Sequence, residues 1–267
     1  MQDIHKEFQD ANQATDSKML LEFLDAADRL ESVQAYRQRM LDLSPPDPGK
    51  RILDVGCGVG HSALKLASLV GPTGHVIGID KNPFLIAEAQ RRASALSAGL
   101  TYLVGDARHL NFPEQNFDIC RAERVLMYID NPQLVLDAVV RVVRPKGTLV
   151  FFEFDYDGMV VDAPEPAFTR RLGRLIADSV PSPWIGRQLP RLLRERGVQA
   201  ITVIPHTVLT TYEMYRYVVG GTVAQALRTG QLLSTEVTMW WRTLEEAEAA
   251  GNFFAGFPGF IVCGHAA

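Results

Sequence analysis

Residues Ile52–Gly60 read ILDVGCGVG, an apolar run closing on an aspartate and three glycines spaced as GxGxG. The run has the length and composition of a buried strand, and the glycines mark a turn in which backbone must come close to something. HSALKLASLV follows with helical periodicity, so the stretch opens a strand–turn–helix unit. Outward from it the alternation continues. HVIGID, LTYLVGD, NFDICRA and GTLVFFEF read as strands, while NPFLIAEAQRRASAL and NPQLVLDAVVRVV read as helices. Near-continuously apolar strands separated by amphipathic helices predict an α/β fold: a doubly wound, Rossmann-like parallel sheet covered on both faces.

The flanks differ from this core. Met19, Leu20, Phe23, Leu24, Ala27, Leu30 and Val33 recur at helical spacing until SPPDPG at Ser44–Gly49 breaks the pattern, which makes residues 1–45 a helical lid. The core then runs over residues 46–158. Residues 159–267 hold further helices, a strand in QAITVIPHTVLT and a last strand in PGFIVCGHA, predicted to pair as an antiparallel hairpin with a helical cap inserted before the second. Seven strands are expected in all.

Composition narrows the partners. The 267 residues carry 27 Lys and Arg against 31 Asp and Glu, a net charge of −4 with no basic face for a nucleic acid. No apolar run approaches the ~20 residues of a membrane span and MQDIHKEFQD lacks a signal-peptide pattern, so a cytoplasmic protein is expected, monomer or homodimer. Cys57, Cys120 and Cys263 are widely separated and suggest neither zinc nor disulfides. No metal is expected.

In an open α/β sheet, ligands bind at the carboxyl ends of the strands. A dinucleotide fingerprint, GxGxxG, would place its third glycine at position 61, where the chain has His61. Asp54 would also set a carboxylate beside a pyrophosphate. A cationic cofactor without phosphate suits the carboxylate, and S-adenosylmethionine is one. Asp80, ending the next strand, can accept from both ribose hydroxyls, and Asp106 after the third can accept from the adenine amino group. A nicotinamide oxidoreductase fits this register poorly.

ILDVGCGVG, GIDKN, GDARHLNFPEQNFDICRAERVLMYIDNP and RVVRPKGTLVFFEFD, in that order over about Lys50 to Asp155, resemble the class I S-adenosylmethionine-dependent methyltransferases. The likeness is nearest to the ubiquinone/menaquinone methyltransferase-like group acting on small molecules. It implies S-adenosyl-L-methionine as cofactor and S-adenosyl-L-homocysteine as product. The implied cofactor residues are Asp54, Gly56, Gly58, Gly60, His61, Asp80, Lys81, Asp106, Ala107, Arg121 and Ala122, with Glu123 beside the methionine moiety. Two positions depart from the family: PKG replaces PGG at Pro145–Gly147, and Met127-Tyr128 replaces a pair that often contains histidine.

Methyl transfer needs alignment first and a base only for less acidic acceptors. Glu123, Tyr128, Asp155 and His206 are the candidate catalytic residues, with Asp157 beside them; each has a structural alternative in ion pairing, loop capping or surface exposure. Aromatic residues crowd the C-terminal half, including Trp184, Tyr212, Tyr215, Trp240, Trp241 and Phe257. A site beneath such a cap favours a small, largely apolar or aromatic acceptor, natural-product precursors included, methylated on O, N or C. The competing expectation is a relative that binds the cofactor without transferring its methyl group, as a regulator or in a cyclisation.

Overall fold

The computed structural model describes residues 3–9, 17–94 and 99–267. Among these residues, helices α1 (Ile4–Gln9), α2 (Ser17–Asp28) and α3 (Glu31–Leu43) precede β1 (Arg51–Val55). Alternation then runs α4 (His61–Val70), β2 (His75–Asp80), α5 (Pro83–Arg92), β3 (Leu100–Val104), β4 (Phe117–Glu123), α6 (Pro132–Val142) and β5 (Val143–Phe154). Helix α5 ends at Arg92; of its predicted extension toward Leu96, residues 95 and 96 lie outside the described residues.

Strands β1 to β5 are parallel in the order β3-β2-β1-β4-β5, so the chain reverses its direction of travel between β1 and β4. A ligand crevice forms at that switch, outside the strand carboxyl ends. The pleat divides β1 between two cores. Ile52 joins Ala63, Leu66 and Ile86 under α4 and α5, while Leu53 and Val55 join the larger cluster with Leu136 and Val139 of α6. Both faces are covered, as apolar strands demand.

The second half runs β6 (Val160–Val161), α7 (Pro166–Ala177), α8 (Ile185–Arg194), β7 (Gln199–Leu209), α9 (Tyr212–Arg228), α10 (Ser234–Ala249) and β8 (Ala255–His265). Strand β8 lies antiparallel to β5 on one side and to β7 on the other, which gives the expected hairpin with α9 and α10 inserted between its strands. Among the described residues the sheet has eight strands instead of seven, because the two residues of β6 pair with the start of β8.

The PKG turn is a bulge. Phe117 pairs with Val143 but Ile119 with Thr148, so residues 144–147 loop out of the ladder. Lys146 takes a left-handed φ of 64° there and donates its N–H to the carbonyl of Ala266. Lysine thus occupies backbone that favours glycine.

The 1–45 segment does not pack as one piece. Helix α3 lies on the body of the sheet, with Tyr36 stacked on Phe152 at 3.8 Å between centroids and Met40 buried. Helices α1 and α2 cross the mouth of the crevice, where Phe8 stacks on Tyr128 and Phe23 on Tyr217. The expected aromatic cap is mostly a core of its own. Tyr215 packs on Trp240, Phe253 and Phe257, and Tyr212 on Trp241, while Trp184 is exposed beside Arg187.

Candidate functional site

One cavity of about 250 Å³ runs from the β1–β3 strand ends to α9. At its β1 end the glycine turn gives the floor. Gly56, Gly58 and Gly60 take φ of 66°, 54° and 85°, and Gly60 starts α4. A Cβ at Gly56 would lie 2.3 Å from Val125, and one at Gly60 2.1 Å from the Tyr102 hydroxyl, whereas at Gly58 the nearest atom is Leu24 of α2 at 3.6 Å. The first and third glycines are required by packing; the second keeps the cavity open.

Asp80 closes the turn from β2, accepting from Gly58 N at 3.0 Å and Asn82 N at 2.9 Å. Burial raises its pKa, and these N–H bonds work against that. Asp54 is 3% exposed, burial pushes it up to about 6 despite Arg121, and its Oδ2 has no partner. Its other oxygen lies 3.2 Å from Arg121 Nε without hydrogen-bond alignment, so this contact is an ion pair only. A buried, half-satisfied carboxylate facing a cavity calls for a cation.

Between the two ends sits Glu123, which closes β4. Its carboxylate accepts from Tyr36 Oη at 2.5 Å, Arg37 Nε at 2.9 Å, Arg121 Nη2 at 2.9 Å and Arg124 Nη2 at 3.2 Å. Burial alone would raise its pKa, but Arg37, Arg124 and Arg121 outweigh it and hold the group well below the carboxylate range. Arg37 also pairs with Asp28 of α2.

The far end is apolar: Phe8, Phe154, Tyr156, Val208, Met214, Val218 and Phe257 line it with Tyr128. Glu153, fully buried, accepts the N–H groups of Val125, Leu126 and Met127 and so fixes the turn after β4. His5 of α1 wedges in behind: its ring lies edge-on to Tyr156 at 5.3 Å, and its Nδ1 is 3.5 Å from Tyr128 Oη. Burial lowers His5 to about 4 and carries Tyr128 well above the phenol range. Both are neutral at pH 7.

A sequence profile described as a methyltransferase domain matches residues 46–197, more than half of the chain. The chain belongs to the class I S-adenosylmethionine-dependent methyltransferases. It is 34% identical over 248 residues to an uncharacterized 37.1 kDa protein in transposon TN4556 of Streptomyces fradiae, covering 91% of this chain and 70% of that one. It is also 29% identical over 154 residues to the ubiquinone/menaquinone biosynthesis C-methyltransferase of Ectopseudomonas mendocina, covering 55% of this chain and 60% of the enzyme. The chain thus spans about 60% of that enzyme's length. Among solved structures, YcgJ of Bacillus subtilis superposes with a TM-score of 0.62 at 18% identity over 87% of this chain and 98% of its own, which shows the shared fold.

The methyltransferase cofactor fits the residues present. The open face of Gly58, the unpartnered Oδ2 of Asp54 and the carboxylate of Asp80 suit a cationic amino-acid moiety and a ribose. Lys81 and Ala107 line the same end. His61 lines it too, but its Nε2 is engaged by Asp25 of α2 at 2.9 Å and Arg92 at 3.0 Å, which fastens α2 to the core. Asp106 is bound by Arg108 through both carboxylate oxygens and by the Arg108 N–H, and the Arg108 guanidinium holds its pKa down. An adenine amino group would share Asp106 with that arginine.

Several expected site residues stand elsewhere. Arg121 and Ala122 are buried behind the wall, Arg121 bridging Asp54 to Glu123. Glu123 reaches the cavity but its oxygens are taken, so it cannot serve as a base. Asp155 pairs with Arg187 through two 2.6 Å contacts outside the cavity, with Asp157 3.9 Å from the same guanidinium. His206 Nε2 bonds the Ser32 carbonyl at 2.7 Å, its ring against Tyr36 and Phe152. Of the four catalytic candidates only Tyr128 faces the apolar end with a hydroxyl uncommitted to an ion pair. Conversely, His5, Tyr36 and Arg37 were not singled out by sequence, since the contacts that place them here come from distant parts of the chain.

Proposed function

We propose that the protein transfers the methyl group of S-adenosylmethionine to an O, N or C atom of a small, largely apolar or aromatic molecule. The observation that carries this is the continuity of one cavity, from the Asp54–Gly58–Asp80 cradle to the chamber of Tyr128, Phe154, Tyr156, Met214, Val218 and Phe257. The sulfonium, when bound, supplies an activated methyl carbon; the chain's own task is to hold the acceptor atom in line and keep water out. The apolar wall excludes water, and Tyr128, protonated at neutral pH, orients an acceptor through its hydroxyl. The neutral His5 ring stands behind it, its Nδ1 3.5 Å from that hydroxyl. An acceptor that is acidic by itself suits such a site best.

One observation favours a second reading. Of the four expected catalytic residues, Glu123 has both oxygens engaged and Asp155 and His206 lie outside the cavity lining, which is also what a cofactor-binding relative without transferase activity would show. Incubation with methyl-labelled S-adenosylmethionine and a panel of phenols, amines and polyketide-like metabolites separates the two. Release of S-adenosylhomocysteine with a labelled product is expected; saturable cofactor binding with no acceptor-dependent product would favour the second.

A further inference from the structure

Arg124 follows β4 at the junction of the two ends of the cavity, in a left-handed backbone with φ of 57°. A non-glycine residue is held in such a conformation only where its surroundings over-determine it. Here its N–H donates to the Phe152 carbonyl at 2.8 Å, and Glu153 pins the three residues that follow. The backbone therefore fixes the point from which the side chain leaves, and that side chain is 14% exposed in the cavity wall.

That guanidinium is under-used. Arg37 is saturated by Asp28 and both oxygens of Glu123, and Arg121 is shared between Asp54 and Glu123. Arg124 has a single 3.2 Å contact, with an oxygen of Glu123 that Tyr36 and Arg37 also use, while its Nε is buried without a partner. A guanidinium this buried and this sparsely bonded in a cavity wall is stabilised when an anion is hydrogen-bonded to it.

Resting on the methyltransferase reading, we infer that the acceptor is an aromatic or polycyclic acid, whose carboxylate or acidic phenolate docks on Arg124 with its hydrocarbon body against Phe154, Tyr156, Met214 and Phe257. Arg124 is a specificity residue: it selects the anion and sets the acceptor's depth relative to the cofactor. A guanidinium suits this role because its planar fork can engage a carboxylate through two N–H groups. Where the docked anion is itself the methyl acceptor it arrives deprotonated: its oxygen forms the new bond to the methyl carbon as the sulfonium C–S bond breaks, S-adenosylhomocysteine leaves, and no base of the protein's own is needed.

The test uses the full chain saturated with S-adenosylhomocysteine and measures binding by calorimetry. The probes are benzoate, salicylate and 2-naphthoate, each against its methyl ester. The acids are expected to bind at least tenfold more tightly than the esters. Arg124→Gln should weaken the acids by about 30-fold and the esters little, and Arg124→Lys should recover part of the gap. Unchanged S-adenosylhomocysteine affinity in both variants shows that they are folded. Equal binding of acid and ester, no binding of any acid, or a gap that survives Arg124→Gln overturns the inference. Binding is read without turnover, so a protein that shows the gap but releases no labelled product defeats the transferase reading and leaves this one standing.

Discussion

The two ends of the cavity are built by different means. At the β1–β2 end the contacts are made by backbone and short carboxylates within thirty residues of chain: the glycine turn, Asp54 and Asp80. At the β4–β5 end they are made by long side chains from distant segments: Phe8, Tyr128, Tyr156, Met214 and Phe257. Between them Glu123 gathers Tyr36 and Arg37 from α3 and two arginines from β4 and its following turn. Local geometry can be kept by a short motif, so the first end is shared with many cofactor users. The second depends on tertiary packing, and there this chain has its own character.

Substitutions that strike one part and spare another test this division. The largest effect is expected at the junction. Glu123→Gln leaves three guanidiniums competing for a neutral amide and should cost about 3–5 kcal/mol of stability, measured by denaturant unfolding. A variant of normal stability that has lost only turnover would instead make Glu123 catalytic. Gly60→Ala comes next, because its methyl group would meet the Tyr102 hydroxyl in a left-handed turn. Cofactor affinity should fall at least 100-fold by calorimetry, with stability lowered by about 2 kcal/mol.

Asp54 supplies a pH signature. Its folded pKa, raised by burial to about 6, exceeds the unfolded value, so its contribution to stability is present below the unfolded pKa and is lost as pH rises through 6. A bound cation stabilises the ionised form and reverses this. S-adenosylmethionine should therefore bind more tightly as pH rises from 5 to 7, by about tenfold in all, and Asp54→Asn should flatten the profile while weakening binding. The raised Asp80 acts in the same direction, so a residual slope in the variant reports on Asp80.

At the other end, Tyr128→Phe should lower acceptor turnover by about tenfold and leave cofactor affinity unchanged, a split read from kcat and a separate binding titration. Loss of both together would erase the distinction between the ends. The smallest effect lies outside the cavity: Lys146→Gly relieves the left-handed backbone in the PKG bulge and should stabilise the fold by about 0.5–1 kcal/mol in thermal unfolding, with binding untouched.

Most of the sheet was legible because its signals are local. An apolar run such as ILDV needs burial on both faces, and glycines at positive φ leave few alternatives. That Asp54 and Asp80 reach the cavity wall follows from their strand-end positions alone. What stayed hidden is long-range. Nothing in NFDICRAERV says that Tyr36 and Arg37 arrive to occupy Glu123, and nothing near the first residues says that His5 ends against Tyr128 and Tyr156. The misplacement of Asp155 has the same origin: its strand ends at the site, but Arg187 of α8 draws the carboxylate away. The aromatic cap misled for another reason, since spacing on α9 and α10 cannot tell packing between two helices from a wall facing a ligand.

The knot at Glu123 bears on how the protein is assembled. Arg121 and Glu123 lie on a central strand with Asp54 and Arg124 close by, but one of the three arginines that hold Glu123, Arg37, comes from α3, far earlier in the chain. A version cut back to begin at β1 would expose Phe152 and leave Glu123 without Arg37 and Tyr36. Such a truncate should unfold less cooperatively than the full chain, a difference that denaturant unfolding of the two would show.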